Sequence, residues 1–368
     1  MRVLHVTDCY LPRPGGIEVH VSDLAARQRA TGIDARVITT TPADPEVPDP
    51  DWVVRTTDRG LDALLREWSP DVVHVHVSIV SPFASRAARR CSSRGIPTLL
   101  TVHSMWSGLG PLPALAQGVL QLRRWPVAWS AVSTVAAQPL REMLGPDVEV
   151  AVLPNAVDPD RWRPAGPVGD PGDPATLLSV MRFTRTKRAL PLARMLVRLR
   201  DAVPDEVPLR AVVVGDGPQH DAFTRYLRRH GATDWVDLPG RLDRSEIRQH
   251  LERASFFVAP AELESFGIAA LEARAVGLPV VASSRAGVGE FVAHGREGLL
   301  AADDDTMVAA MVRMVTDPAL RASITAHNRE TPIEHDWATA CDRTDRLYRR
   351  AAVIAAAPAR RSSRLATS

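Results

Sequence analysis

The chain has 368 residues, 45% of them hydrophobic and 24% charged, and its formal net charge is +2 at pH 7. This composition is ordinary for a globular protein and argues against disorder, and the length suggests two domains of about 150 residues each. The weak net charge argues against a nucleic-acid partner. Three cysteines without CxxC spacing fit reduced thiols, and the N-terminus becomes polar too early for a signal peptide. We therefore expect a cytoplasmic protein.

The first half of the chain repeats a strand–helix–strand pattern. "RVLHVT" is a short strand, "PRPGGIE" a glycine turn, "VHVSDLAARQRATG" has helical periodicity, and "ARVITTT" is the next strand. Further strands are predicted in "DVVHVHVS", "PTLLTVH", "WSAVSTV" and "VEVAVLPNAV", with a helix in "SPFASRAARRCSSRG". The alternation predicts a parallel sheet with helices on both faces.

A stretch dense in Pro, Gly and Asp (159–175) interrupts this pattern and predicts a linker without a helix. Strands and helices then alternate again, from "TLLSVM" to "LPVVASS". The pattern predicts an α/β fold of two doubly wound, Rossmann-like domains facing across a cleft, at 1–165 and 166–335. A terminal helix at 336–356 would return to the first domain, and 357–368 would be a disordered tail.

Two glutamates stand at the start of a predicted helix in "ELESFGIAALEARAVGLPVV". Glu264 precedes the helix and Glu272 lies about two turns into it, on nearly the same face. The two carboxylates could therefore accept hydrogen bonds from two hydroxyl-bearing parts of one ligand. The N–H groups of Phe266, Gly267 and Ile268 at the helix N-terminus could bind an anion. The alternative is a helix with acidic first turns, which the helix dipole favours by itself.

Lys187, in "MRFTRTKR", is the only lysine among 45 lysine and arginine residues. Lysine offers a compact point charge on a flexible stem, whereas arginine offers a rigid planar fork. A site that needs both shapes would explain one retained lysine beside Arg182. The alternative is a chance survivor of codon bias on a solvated helix end.

Other polar or small residues follow strands of the first domain. Gly15 and Gly16 lack a Cβ and could let the backbone approach a phosphate or sugar, although a plain tight turn explains them equally. His103 ends a strand and could be a ligand contact or a half-buried capping histidine. His74 and His76 share a strand face, and we favour a structural role for them over metal ligation because no third ligand is evident.

Two acidic stretches and one segment containing Trp and Arg each have a functional and a structural interpretation. The Asp-x-Asp of "PDPDW" lies in a Pro-rich loop and is expected to be solvated, and "ADDDT" (302–306) reads as a turn and helix cap. We therefore predict no metal site. The Trp- and Arg-containing segment 105–130 could form an interfacial patch that contacts a membrane peripherally. A core helix with an acceptor loop is the alternative that we favour.

Several motifs, in order along residues 1–350, resemble those of retaining glycosyltransferase family 4, the group 1 enzymes that include glycogen synthase and phosphatidylinositol mannosyltransferases. The motifs are "PRPGGIEVHV", "LLTVHSMW", "VLPNAVD", "VMRFTRTKR", "VVVGDGP", "ESFGIAALEARAVGLPVVAS" and "GREGLL". The resemblance implies the GT-B fold, with an acceptor domain first and a nucleotide-sugar donor domain second. "VMRF" for Gly-Arg-Leu, and Arg188 where glycine is usual, depart from the family pattern.

The resemblance also implies roles for the residues singled out above. Arg182 and Lys187 would grip the nucleotide diphosphate. Glu264 would hold sugar hydroxyls and Glu272 the ribose, and the backbone at Leu242 would meet the base. His103 would contact the donor sugar. Donor-binding backbone would come from the two glycine-containing turns, a set that comprises Gly15, Gly16, Phe266, Gly267 and Ile268.

The sequence thus predicts a retaining hexosyltransferase that uses a UDP- or GDP-linked sugar, needs neither metal nor cofactor, and works by front-face attack. The acceptor would be a small molecule or a lipid-linked glycan, so membrane association is compatible with a cytoplasmic location. Two alternatives stay open, namely a non-catalytic sugar-nucleotide-binding protein and a sugar-nucleotide epimerase of the same fold. A pyridoxal-phosphate phosphorylase would need a Schiff-base lysine, and Lys187 is already assigned.

Overall fold

The structure, a computed structural model, describes residues 1–13, 15–106, 121–164, 166 and 174–357. Internal contacts divide the chain into two compact units. Unit 1 comprises the described residues of 1–131, 140–153 and 341–357, and unit 2 those of 132–139 and 154–340. The tail predicted at 357–368 lies, apart from residue 357, outside the described residues. In the described part of the chain, no helix has the length and apolar character needed to cross a bilayer.

Unit 1 contains a seven-stranded parallel sheet with the strand order β3-β2-β1-β4-β5-β6-β7. Its strands are β1 (Arg2–Thr7), β2 (Asp34–Thr39), β3 (Val53–Arg55), β4 (Val72–Val77), β5 (Thr98–Val102), β6 (Ala128–Ala131) and β7 (Val150–Val152). The helices are α1 (Gly16–Ala30), α2 (Asp58–Trp68), α3 (Pro82–Ser93) and α4 (Thr134–Leu144), of which α4 begins among residues of unit 2. Central strands β1, β4 and β5 are buried along nearly their whole length, as parallel strands covered on both faces must be.

Unit 2 contains a six-stranded parallel sheet with the order β10-β9-β8-β11-β12-β13. Its strands are β8 (Ala175–Val180), β9 (Leu209–Val214), β10 (Val236–Gly240), β11 (Phe256–Ala259), β12 (Val280–Ser283) and β13 (Gly298–Ala301). The helices are α5 (Pro159–Trp162), α6 (Ala189–Ala202), α7 (His220–Arg229), α8 (Arg244–Arg253), α9 (Ile268–Val276), α10 (Asp304–Thr316), α11 (Pro318–Glu330) and α12 (Trp337–Ala356); α12 continues into unit 1. Its core is built from the inward faces of α6, α7 and α10 against this sheet.

Two local expectations were wrong. The stretch 159–175 was expected to hold no helix, yet Pro159–Trp162 forms one short turn of helix. Asp158 caps it by accepting hydrogen bonds from the N–H groups of Asp160 and Arg161, and proline suits a first helical position. In "WSAVSTV" the strand stops at Ala131, because the Ser133 hydroxyl accepts from the Ala136 N–H and starts α4.

Gly215, at the end of β9, allows close contact between two strand ends of unit 2. Its φ is +133°, and a Cβ built there would lie 1.8 Å from the backbone oxygen of Met181. We expect Gly215→Ala to lower the free energy of unfolding by about 2–5 kcal/mol, because both backbone strain and steric overlap oppose it. Gly289→Ala is the matched control, since a Cβ there meets nothing within 4 Å. Urea unfolding measures both, and a Gly215 variant as stable as the Gly289 variant would contradict this packing.

Candidate active site

The loop after β8 carries the retained lysine. Arg182 is exposed, and five residues later the Lys187 N–H donates to the Thr184 hydroxyl at 3.4 Å. Arg188 then adopts a left-handed conformation, with φ +58°, and precedes the first residue of α6. The loop leaves the carboxyl end of a central strand, which is where ligands of open parallel sheets bind.

Lys187 and Glu264 meet although 77 residues separate them in sequence. The Lys187 Nζ lies 2.5 Å from Glu264 Oε2, and both side chains are about one-quarter exposed. The neighbouring strands β8 and β11 bring their following loops together at one sheet edge. The structure therefore unites the lysine with the first of the two predicted carboxylates.

The turn that carries Glu264 is held by backbone contacts. The Glu264 carbonyl accepts from the Gly287 N–H at 2.8 Å, and the Ser265 carbonyl accepts from the Ser133 hydroxyl at 2.5 Å. Phe266 is buried and anchors the turn. Gly267 precedes α9 with a φ of +95°, a conformation that favours glycine, and Ile268 is the first helical residue. The predicted helix N-terminus is thus present, beside the Lys187–Glu264 pair.

Glu272 lies on α9, eight residues after Glu264, and is buried at 7% exposure. Its Oε1 lies 3.8 Å from Nη2 of Arg244, which is the first residue of α8. Arg244 is a site residue that the sequence analysis missed. Its sequence signal is its position two residues after Leu242, at the start of the helix that follows the loop after β10.

Leu242 is half-buried in that short loop after Gly240. The Gly240 carbonyl accepts from the Gly215 N–H at 2.8 Å, which ties the end of β10 to the end of β9. The loops carrying Leu242, Lys187 and Glu264 all follow the carboxyl ends of strands in the same six-stranded sheet.

A second ionic group supports the lysine loop. The Arg188 guanidinium binds the carboxylates of Glu262 and Asp304, and Glu262 also binds Arg285 at 3.3 Å. A two-pronged guanidinium is suited to bridging two carboxylates at once. Arg188 therefore ties the loop after β8 to the loop after β11 and to the start of α10, in place of the glycine that is usual in the family.

Three predicted site residues belong to unit 1. Gly15 precedes α1 and Gly16 is the first residue of that helix. Pro14, which comes just before Gly15, lies outside the described residues. His103 follows β5 and is 6% exposed. All three follow carboxyl ends of strands of the seven-stranded sheet.

The interpretation of His74 and His76 needs a correction. No third candidate ligand was evident in sequence, but the parallel register sets His5 of β1 beside His74, and the three imidazoles offer nitrogens within 4.8 Å of one another. Only the pairing of β1 with β4 reveals this neighbour.

The remaining stretches also have observed positions. "ADDDT" forms a capping box in which Asp303 and Thr306 bind each other's backbone N–H groups, as predicted. In "PDPDW" the Asp49 carboxylate is not free in solvent, because it pairs with Arg55 at 2.5 Å. Of the segment 105–130, residues 107–120 lie outside the described residues; Trp129 is buried in β6.

The arrangement in unit 2 can bind an anion and hydroxyl groups together. An ammonium, an exposed guanidinium and a helix N-terminus supply positive charge, while two carboxylates accept hydrogen bonds. Doubly wound α/β units of this kind, with charged loops at the strand ends, define a protein of the GT-B class.

Comparison with known proteins supports the same class. The profile described as "Glycosyl transferases group 1" matches residues 160–331, and that described as "Glycosyltransferase Family 4" matches residues 14–161. Glycogen synthase of Mycobacterium tuberculosis is 33% identical over 295 residues, 77% of this chain and 69% of that protein. Phosphatidyl-myo-inositol mannosyltransferase of Mycolicibacterium smegmatis is 27% identical, with 95% of this chain and 93% of that protein covered. The chain belongs to the group 1, family 4 glycosyltransferases, and its enzymatic class is glycosyltransferase.

Solved structures support the same fold. Sucrose-phosphate synthase from Thermosynechococcus elongatus matches with a TM-score of 0.75 at 19% identity, over 95% of this chain and 98% of that one. Anabaena Alr3699/HepE, solved in complex with UDP and glucose, matches with a TM-score of 0.75 at 17% identity, over 94% and 98% of the two chains. The α/β GT-B fold predicted from sequence is confirmed.

Proposed function

We propose that this glycosyltransferase moves a hexosyl group from a nucleotide-diphosphate sugar to a hydroxyl of a small-molecule or lipid-linked acceptor, with retention of anomeric configuration and without a bound metal. The observation that carries the proposal is the contact between Lys187 and Glu264 beside the N-terminus of α9. It combines, within one short loop cluster, a cation suited to phosphate and a carboxylate suited to sugar hydroxyls.

The charge arrangement favours a diphosphate as the leaving group. Lys187 is paired with Glu264, so an incoming phosphate would exchange one anionic partner of the ammonium for another. Arg182 is exposed in the same loop and adds a second cation. As the bond from the anomeric carbon to the phosphate oxygen breaks, negative charge grows on the diphosphate, and cations placed there stabilise the transition state more than the ground state.

Carboxylates then position the rest of the donor. Glu272, buried beside Arg244, is the candidate ligand of the ribose hydroxyls. The backbone at Leu242 is the candidate ligand of the base. Glu264, in the turn that precedes α9, is the candidate ligand of the hexose hydroxyls. The names of relatives, a glycogen synthase and a phosphatidyl-myo-inositol mannosyltransferase, support a sugar or inositol hydroxyl as acceptor.

Retention follows from a front-face exchange. The acceptor oxygen forms its bond to the anomeric carbon on the side from which the diphosphate leaves, and the acceptor proton passes to a leaving phosphate oxygen. Glu264 is assigned to hydroxyl binding and to Lys187, so no covalent glycosyl-enzyme step is assigned to it. A double displacement would instead require a carboxylate nucleophile beneath the anomeric carbon.

A donor panel tests the proposal. The protein is incubated with UDP- and GDP-linked hexoses, with and without candidate acceptors such as a maltooligosaccharide and phosphatidylinositol vesicles. Release of nucleoside diphosphate and the anomeric proton signal of the product are then measured. We expect one donor to be consumed with retention. Binding without turnover on any acceptor would favour a non-catalytic protein, and an altered free sugar nucleotide would favour an epimerase.

Metal removal gives a further prediction. We expect activity to stay within about twofold after exhaustive EDTA treatment and on adding Mg²⁺ or Mn²⁺, because Lys187, Arg182 and the α9 N-terminus carry the charge neutralisation that a divalent ion performs in metal-dependent transferases. Initial rates with the donor identified above measure this. Loss of activity with EDTA that is restored by one divalent ion would contradict the metal-independent part of the proposal.

A further inference from the structure

Unit 1 contains an unusual buried cluster of imidazoles. Its members come from α1 and from three adjacent strands of the sheet, and none is more than 6% exposed: His5, His20, His74, His76 and His103. Four of these rings belong to two continuous hydrogen-bonded branches that meet at one residue, Gln28 of α1, which is itself 2% exposed.

The first branch runs from Gln28 to His103. His5 Nε2 lies 2.8 Å from Gln28 Oε1, and His5 Nδ1 lies 3.0 Å from His76 Nε2. His76 Nδ1 in turn lies 3.0 Å from His103 Nε2. Both nitrogens of His5 and of His76 are therefore used within the branch.

The second branch runs from Gln28 through the terminal helix α12 back to β5. Gln28 Nε2 lies 3.1 Å from the Tyr348 hydroxyl, which lies 3.0 Å from His74 Nδ1. His74 Nε2 lies 2.8 Å from the Thr101 hydroxyl. The branch ends with two more bonds: the Thr101 hydroxyl lies 2.7 Å from the Ser130 hydroxyl, which lies 3.4 Å from the Leu100 carbonyl oxygen.

The Leu100 carbonyl sets the direction of every bond in the circuit, because a carbonyl can only accept. Ser130 donates to it and so accepts from Thr101, which in turn accepts from the protonated Nε2 of His74. Neutral His74 then accepts at Nδ1 from Tyr348. The Tyr348 oxygen accepts from the amide NH₂ of Gln28, which turns the Gln28 carbonyl oxygen towards His5.

The orientation of the Gln28 amide also fixes which nitrogens donate and which accept along the first branch. His5 must donate from Nε2 to the Gln28 carbonyl, so its Nδ1 accepts from Nε2–H of His76. Nδ1 of His76 then accepts from Nε2–H of His103. One proton per ring is consistent with burial, which lowers the pKa of His5 to about 4 and holds the pKa values of His74, His76 and His103 well below 6.5.

We propose that this circuit holds His103 in a single tautomer, protonated at Nε2 and unprotonated at Nδ1, and that Gln28, His5 and His76 are positioning residues for the site to which His103 belongs. The two ends of the circuit are the two polar residues of one Thr-x-His segment, Thr101 and His103. Two polar residues that stand two positions apart at the end of β5 are thus coupled through two helices and two other strands.

The tautomer has a consequence for the ligand. With Nε2 committed to His76, Nδ1 of His103 can only accept a hydrogen bond. Whatever group contacts that nitrogen, whether in the protein or in a sugar substrate of the proposed transferase, must therefore be a hydrogen-bond donor. This consequence rests on the proposed transferase function, whereas the tautomer itself does not.

A transition metal held by His5, His74 and His76 is the competing use of the same rings. Metal ligation would require each ring to present a nitrogen to one ion. In the structure, all six ring nitrogens of these histidines are instead engaged by one another, by His103, or by Gln28, Tyr348 and Thr101. The hydrogen-bonded circuit therefore explains the geometry better than an ion does.

The first test is spectroscopic and uses the full chain. Long-range ¹H–¹⁵N correlation on ¹⁵N-histidine-labelled protein reports which nitrogen of each ring carries the proton. Signals are assigned by omission, with His103→Asn for the terminal ring. We expect His5, His74, His76 and His103 all to be neutral Nε2–H tautomers at pH 7.5. An Nδ1–H His103, or one equivalent of tightly bound transition metal in the purified protein, would overturn the proposal.

Two variants then break one branch each. Gln28→Met removes the carbonyl that orients His5, so we expect His103 to lose its single tautomer and kcat/KM to fall about tenfold, as for other supporting residues. Tyr348→Phe breaks the second branch and removes the oxygen that orients the Gln28 amide, so the same losses are expected. Thr98→Val is the matched control, because it removes a buried hydroxyl of β5 whose bond to the Ile96 carbonyl lies outside the circuit. His103 and kcat/KM should be unchanged in that variant.

The outcomes separate this proposal from the proposed function. A His103 tautomer that is unaffected by Gln28→Met would overturn the relay whatever the enzyme does. A tautomer that shifts while kcat/KM stays normal would overturn the positioning role. A wild-type protein with the expected tautomers but no transferase activity would refute the proposed function and leave the hydrogen-bond circuit standing.

Discussion

Replacing Lys187 with alanine is expected to lower kcat/KM for glycosyl transfer by about 10²–10³-fold, the usual cost of removing one preorganised donor to a developing negative charge. The ammonium is placed at the edge of the sheet by its contact with Glu264 and is close to the N-terminus of α9. Its loss would leave the departing diphosphate without its compact cation and leave Glu264 without its partner. Steady-state kinetics with the donor found in the panel measure the effect.

The fold should survive that substitution. The Lys187–Glu264 pair is partly exposed, and such pairs contribute about 0–1 kcal/mol to stability, so the Tm should move by less than about 4 °C. Arg198→Ala is a matched control, because it removes a cation from a surface pair with Asp305 in the same unit. It should leave both kcat/KM and Tm nearly unchanged.

Lys187→Arg sharpens the test. It keeps the charge but replaces a flexible point charge by a larger planar fork, so we expect only partial recovery of kcat/KM over the alanine variant. Full activity of the arginine variant would show that charge alone matters and would leave the single lysine of this chain without a catalytic reason. A near-normal kcat/KM for Lys187→Ala would remove the residue from the mechanism.

Unit 1 is expected to unfold cooperatively as the pH falls from 6.5 towards about 5, while unit 2 stays folded. Burial lowers the pKa of His5 to about 4 and of His20 to about 3, and it holds the pKa values of His74, His76 and His103 well below the ordinary 6.5. Above pH 6.5 these rings are neutral in both states and have no effect. Below it the unfolded chain binds protons that the folded unit does not, so stability is lost until the folded pKa values are reached.

The expected loss of folding stability in unit 1 is large because five imidazole rings contribute to it together. At pH 5 each unfolded imidazole gains about 2 kcal/mol from protonation, so the five can remove up to about 10 kcal/mol, which is comparable to the total stability of a domain. Hydrogen-exchange mass spectrometry resolves the two units, with peptides from β1, β4 and β5 compared with peptides from β8, β9 and β11.

Exchange protection of β1, β4 and β5 should collapse between pH 6.5 and 5, and protection of the unit 2 strands should persist. His220→Asn offers a control, since this partly exposed histidine of unit 2 lies outside the cluster. It should leave the acid transition of unit 1 in place. Equal protection of unit 1 at pH 7 and pH 5 would contradict neutral burial of the cluster.

Much of unit 2 could be predicted from the chain because its elements are long and strongly patterned. "ALPLARMLVRLRDA" corresponds residue for residue to α6, since a buried stripe at helical spacing leaves few alternatives. In unit 1 the edge strand Val53–Arg55 and the helix Asp58–Trp68 were not recognised. A three-residue strand has no period to detect, and only its pairing with β2 defines it.

The candidate site likewise contains residues that the sequence identified and residues that it did not. Glu264, Glu272 and a helix that begins between them were identified from spacing and family resemblance, and the structure places Glu264 before α9 and Glu272 within it. Arg244 and the group formed by Arg188, Glu262 and Asp304 were not identified, because each contact joins residues far apart in sequence. Roles in donor binding remain predictions for every site residue.

The amino-acid sequence by itself determined the class of fold, the family and the loops that carry charge, because periodicity, turn residues and motifs are local properties of the chain. Only the tertiary structure decided which distant side chains meet. Lys187 binds Glu264 because β8 and β11 are neighbours, and His5 joins His74 and His76 because β1 pairs with β4. Strand order and register set those distances, and neither is written in any single stretch of sequence.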